Sequence, residues 1–174
     1  MSGRHLLLAL PLLALTALAA GGCGGGDPSG GDPEKAVFAA ELDVGDLSDR
    51  TRWTKTSTGL FARDLQVGSG TTVVPGMTVS VWYSGFLTDG TVFDERQPSA
   101  GASAVPPGFV IGAGRVIVGW DQGFVGLGKE LAPMKVGGRR QLVIPSNLAY
   151  GTQGRGAIPP NAVLVFNVEL VSVK

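Results

Sequence analysis

Val116-Ile117-Val118-Gly119-Trp120-Asp121-Gln122-Gly123 is the stretch on which the reading of this 174-residue chain turns. A β-branched run ends at a glycine. The side chains Trp120, Phe124, Leu127 and Leu131 then recur at steps of four, three and four, one face of a helix starting at Trp120. Everything else reads as strands and Gly/Pro turns. A single short helix has to bury its stripe against a sheet. Trp120, first in that stripe, therefore belongs where the loop before the helix meets the sheet, and a site is expected there.

The strands read outward from this helix. Thr78 to Ser84 alternates strictly, with Val79, Val81 and Tyr83 on one face and Ser80, Trp82 and Ser84 on the other. Tyr83 is thus expected inward and Trp82 on a half-exposed outer surface. Leu60 to Val67 is an earlier strand, closed by the turn Gly68-Ser69-Gly70, and Pro75-Gly76 is a second turn. Asp89-Gly90 is a hairpin turn leading into Thr91 to Asp94. Gln97 to Gly108 is a long Pro/Ser/Ala/Gly loop, of a length that signals function or disorder. Downstream, Arg140, Leu142 and Ile144 define the inner face of one strand, and Leu164, Phe166, Val168 and Leu170 that of the last. The fold class that follows is α+β, a bent antiparallel β-sheet wrapped around one short α-helix.

The N-terminal region reads as processing signals rather than fold. Arg4 and His5 precede an apolar run from Leu6 to Ala20, too short for an ordinary membrane span and suited to a signal-peptide core, so residues 1–22 are read as a signal peptide. Cys23, the only cysteine, cannot form a disulfide within the chain. It follows Ala20-Gly21-Gly22 and resembles a bacterial lipobox, although Ala20 stands where Leu is usual. Lipidation at Cys23 would anchor the protein to a membrane, each buried methylene contributing about 0.8 kcal/mol. Ordinary cleavage after Ala17-Leu18-Ala19, leaving a free thiol, is the alternative. Residues 23–52 are then the anchor and a flexible tether, with a short helix over Pro33 to Leu42 capped by Asp32. The domain proper is expected over 53–174, in an exported protein of the cell envelope or periplasm.

Composition excludes several functions. Fourteen basic and 14 acidic residues balance, which argues against a nucleic-acid partner. The one His is His5, so the mature protein has neither a His-based triad nor a Cys-His pair, and none of the common zinc sites. Gly112-Ala113-Gly114 lacks the Lys of a phosphate-binding loop. Asp94 and Glu95 are neighbours on a strand and point to opposite faces, unlike a glycosidase pair. No cofactor and no metal are expected. What remains is aromatic and aliphatic: Tyr83, Phe93, Phe109, Val116, Ile117, Trp120, Tyr150, Ile158 and Phe166, with Asp94 among them. A carboxylate beside apolar walls needs a partner, and Arg96 and Arg140 are the candidates.

These residues sit in motifs that resemble FKBP-type peptidyl-prolyl isomerases, in order: Val81-Trp82-Tyr83-Ser84-Gly85, Asp89-Gly90 with Phe93-Asp94, Val116-Ile117 with Gly119-Trp120, Met134-Lys135-Val136-Gly137, Ala149-Tyr150-Gly151, and Ile158-Pro159-Pro160 through Leu164-Val165-Phe166. The resemblance spans about Thr56 to Lys174. It implies a substrate pocket floored by Trp120 and walled by Tyr83, Phe93, Phe109, Val116, Ile117, Ile158 and Phe166. Asp94 would be its polar side, and Tyr150 a hydroxyl for a substrate carbonyl. The catalytic set implied is Asp94, Tyr150, Trp120, Phe166 and Tyr83. The implied partners are proline-containing clients and macrolide inhibitors, and the protein is expected to be a monomer. Three departures are visible. Pro107 stands where an aromatic is expected, an insertion over Gly126 to Pro133 is expected to lengthen the helix or add a bulge, and Arg155 lies near where some members carry His. A holdase that recruits clients through Gln97–Gly108 is the competing reading; a purely structural surface lipoprotein is a third.

Overall fold

In the computed structural model, residues 48, 49, 51–98 and 105–174 are described, and all belong to one compact unit. The signal peptide, Cys23, the short helix over Pro33 to Leu42 and residues 99–104 of the long loop lie outside the described residues. Seven strands form one antiparallel sheet: β1 (Thr54–Lys55), β2 (Phe61–Gln66), β3 (Thr78–Leu87), β4 (Val92–Arg96), β5 (Phe109–Val110), β6 (Arg139–Ile144) and β7 (Leu164–Val173). The order is β1-β2-β6-β7-β3-β4, with β5 also pairing β3. Among the described residues one α-helix, α1 (Val118–Val125), lies against the sheet.

Alternation decides which face is inner. Leu164, Phe166, Val168 and Leu170 on β7, Leu142 and Ile144 on β6, and Val79 and Val81 on β3 are all buried in one cluster with Trp120 and Phe124 of the helix. Each aliphatic side chain so buried contributes about 1.5–3 kcal/mol. Two helix glycines allow close approach. A Cβ on Gly123 would lie 2.6 Å from Leu142 Cδ1, and one on Gly119 would fall inside the Ile144 side chain.

The helix is shorter than the stripe implied, and it starts two residues earlier. It begins at Val118, and Gly126 ends it at φ 84°, a left-handed conformation that glycine adopts without penalty. Leu127 and Leu131 keep helical spacing but belong to a tight turn, with Leu127 N–H donating to the Leu131 carbonyl at 2.8 Å. The inserted segment therefore does not lengthen the helix; it forms this turn after it. It folds back onto the strand entry, where the Ser57 N–H donates to Glu130 Oε2 at 2.6 Å; beside it, Thr58 Oγ1 donates to Gln122 Oε1 of the helix at 2.7 Å.

Arg140 also departs from expectation. It is 2 % exposed, and its guanidinium donates to Asp64 Oδ1 at 2.7 Å and Oδ2 at 3.1 Å, not to Asp94. Its Nη1 donates further to the carbonyls of Gly123 (2.7 Å), in the last turn of the helix, and Ala132 (2.9 Å), beyond it, so one cation satisfies an acceptor at the helix C-terminus and one in the segment that follows. The outer face of the sheet carries a second, smaller core of Trp53, Phe86, Val143 and Val165. Trp53 is held there by its N–H bond to the Asp49 carbonyl and by the Arg63 guanidinium over its ring.

Candidate functional site

Between the helix N-terminus and the open end of the sheet lies a cleft of about 610 Å³. Trp120 floors it at the point the sequence indicated. Its ring lies 5.1 Å from Tyr83 and 5.2 Å from Phe166, both edge-on, and 5.4 Å from Phe109. Phe93 meets Phe166 edge-on at 5.5 Å. Edge-to-face contact is the geometry that aromatic quadrupoles favour. The floor is packed yet still reachable: Trp120 keeps 7 % exposure, and its Nε1 is buried without a hydrogen-bond partner among the described residues.

The walls depend on two local irregularities. Gly85 pairs with Asp94 and Phe86 with Val92, so Phe93 is the extra residue of a β-bulge. That bulge sets consecutive residues Phe93 and Asp94 on the same cleft, which a regular strand would not do. Gly85, opposite, leaves the room: a Cβ there would lie 2.7 Å from Phe166 and 2.8 Å from Phe93. The loop before the helix is tied by Asp121, whose carboxylate accepts from the N–H groups of Gly112 (2.6 Å) and Gly114 (3.0 Å). Negative charge in the first helical turn also suits the helix dipole. This tether places Arg115, Val116 and Ile117 along the cleft.

Asp94 has Tyr83 as its partner. The Tyr83 hydroxyl donates to Asp94 Oδ2 at 2.9 Å. Burial, then that bond and the Asp94 charge, push the Tyr83 phenol up to about 12, so it stays a donor at every physiological pH. Arg96 donates instead to the Pro107 carbonyl at 3.3 Å.

The structure brings Tyr83, Phe93, Asp94, Phe109, Val116, Ile117, Trp120, Tyr150 and Phe166 together around this one cleft. Ile158 is not among the lining residues. It is 7 % exposed in the core, and two backbone bonds with Arg155, both 2.9 Å, make it the anchor of the Arg155 turn. The lining also holds Gly114, Val118 and Ala149, and three arginines: Arg96, which the sequence offered as a partner for Asp94, and Arg115 and Arg155, which it did not place there. Nothing in their spacing signalled this, because they come from three separate segments. Neither Pro107 nor the inserted turn lines the cleft. A smaller cavity of about 200 Å³ beside Asp64 and Arg140 offers a guanidinium already engaged by four acceptor contacts. Among the described residues no group of His, Cys, Asp and Glu is arranged to hold a metal.

A short helix clasped by a bent antiparallel sheet, with an aromatic cleft at the junction, defines the class. Residues 69–171 match the FKBP-type peptidyl-prolyl cis-trans isomerase family, and the chain belongs to it. It is 45% identical over 120 residues to the FK506-binding protein of Neisseria meningitidis serogroup B, covering 66% of this chain and 96% of that one. FK506-binding protein 2 of Yarrowia lipolytica is 52% identical over 99 residues, covering 56% and 61%. Among solved structures, AtFKBP13 superposes with a TM-score of 0.63 at 38% identity, over 71% of this chain and 99% of that one. FkpA from Escherichia coli gives 0.58 at 34%, over 81% and 59%. The chain is a peptidyl-prolyl cis-trans isomerase of this family.

Proposed function

We propose that the cleft accelerates rotation about X-Pro bonds of exported polypeptides by stabilising the twisted amide. The uncatalysed barrier, about 18–20 kcal/mol, is lost amide resonance, so the reaction needs neither nucleophile nor proton donor. A twisted amide is less dipolar than a planar one and loses less on leaving water. An aromatic cleft that binds the twisted form better than either planar isomer lowers the barrier by differential binding. About 5 kcal/mol of such preference gives roughly four powers of ten.

In this reading Trp120, Phe166, Tyr83, Phe93 and Phe109 hold the proline ring, with Val116 and Ile117 along one wall. Tyr150 hydrogen-bonds a substrate carbonyl, as does the Ile117 N–H. Asp94, fixed by the Tyr83 hydroxyl, opposes charge at the twisting carbonyl. The observation that carries it is the edge-on clasp of Tyr83 and Phe166 over Trp120 beside the Tyr83–Asp94 bond. The same cleft is proposed to take FK506-type macrolides in competition with peptide.

The test is cis–trans exchange of a Leu-Pro peptide with the purified domain. Wild type is expected to turn it over and FK506 to inhibit. Asp94→Ala is expected to lower kcat/KM about tenfold, equal to about 1.4 kcal/mol; unchanged turnover would make Asp94 purely structural. Export and anchoring are proposed from the Leu6–Ala20 run and Cys23. Membrane fractionation checks them, because Cys23→Ala should release the protein into the soluble fraction.

A further inference from the structure

The lining of the cleft is lopsided in charge although the chain as a whole is balanced. Arg96, Arg115 and Arg155 face it, against the single carboxylate of Asp94. All three arginines are exposed, and none forms an ion pair among the described residues. Arg96 sits at the end of β4, steadied by the Pro107 carbonyl. Arg155 lies 5.6 Å over the Tyr150 ring, a cation–π contact that holds its guanidinium near the hydroxyl assigned to the substrate. Arg115 follows the loop that Asp121 ties down. The other nearby carboxylates do not cancel this charge. Asp121 is engaged by two backbone N–H groups, and neither it nor Glu95 lines the cleft.

An apolar floor ringed by guanidinium groups recognises a chain that is apolar at its centre and anionic at its flanks. We propose that the arginine rim selects X-Pro segments carrying Asp or Glu within two residues of the proline. Arginine suits this role because its fork of donors matches a carboxylate. The inference rests on the isomerase reading of the cleft and adds a preference to it.

The experiment holds the Leu-Pro core constant and varies only the flanking residue, Glu, Gln or Lys, in cis–trans exchange measurements on the purified domain. The Glu-flanked peptide is expected to exceed the Lys-flanked one in kcat/KM by about tenfold at low salt, about 1.4 kcal/mol, within reach of a few exposed ion contacts. In about 0.5 M salt the ratio should shrink several-fold through screening. The variant with Arg96→Ala, Arg115→Ala and Arg155→Ala together should bring it to about one, and Arg115→Glu alone should lower it. Equal rates for the two peptides with wild type, or a preference that survives the triple variant, would overturn the proposal. Were no peptide turned over at all, the isomerase reading would fall, while NMR titration with the same peptides would still judge the rim by the ratio of their Kd values.

Discussion

At the residue scale, the Tyr83 hydroxyl and the Asp94 carboxylate share one hydrogen bond across a strand bulge. Burial, and after it this bond and the Asp94 charge, raise the proton affinity of the phenol, which makes the pair measurable. The folded phenol is raised to about 12, against about 10 in an unfolded chain. The stabilisation is therefore complete below pH of about 10 and is lost as pH climbs through the folded value. Following phenolate absorbance, one tyrosine is expected to ionise near 12, and Tyr83→Phe should remove that step. Asp94→Asn should move it back toward the ordinary value, because the charge that holds the proton is gone. A Tyr83 that ionised at the ordinary value in wild type would contradict both the burial of the phenol and its bond to Asp94. Asp94 was legible as a residue needing a partner, but the partner was not. The phenol lies on the neighbouring strand, and only the bulge at Phe93 swings the carboxylate toward it.

At the element scale, the loop from Gly112 to Ile117 and the helix behind it behave as one unit because Asp121 joins them. Asp121→Ala removes two hydrogen bonds to a charged acceptor, each worth about 1.5 kcal/mol or more when well made. Solvent exposure reduces that here. The expected result is a KM for Leu-Pro peptide raised several-fold, with the unfolding midpoint nearly unchanged; an unaltered KM would mean that the loop holds its place without the tether. Arg140 acts on the other end of the same helix. Arg140→Ala strips a buried cation from Asp64 and two carbonyls, and should cost about 3 kcal/mol in denaturant unfolding. The fold at this scale was largely legible, since period-two alternation fixes a strand face and Val79, Val81, Leu142, Ile144, Leu164 and Leu170 all went inward. The helix end was not, because Leu127 and Leu131 preserve helical spacing across a glycine that breaks the backbone. Both side chains still reach the core from the turn, so the hydrophobic pattern survived the loss of the helix that it implied.

At the scale of the whole molecule, the sheet has two working faces. The concave one holds the helix and the cleft; the convex one is closed in part by Trp53 over Phe86, Val143 and Val165. Trp53 read from sequence only as the start of the domain, because a lone indole before a strand does not say which face it covers. The arginine rim was legible only in part: Arg96 was read beside Asp94 and Arg155 as a departure, but neither Arg115 nor the convergence of the three was. Arg96, Arg115 and Arg155 are far apart in the chain and meet only when β4, the tethered loop and the Arg155 turn converge. The aromatic floor was readable through motif order, since Trp120 and Phe166 are fixed by the helix start and by the last strand. The convergence leaves a cleft without His or Cys in its lining, and we propose that rotation within it is independent of proton transfer. The most direct test is kcat/KM on a Leu-Pro peptide in H2O and D2O, from about pH 6 to about pH 9, the interval in which His and Cys ordinarily titrate. A flat profile with a solvent isotope effect near unity is predicted. A bell-shaped profile, or an isotope effect of about two or more as expected for a proton in flight, would contradict it.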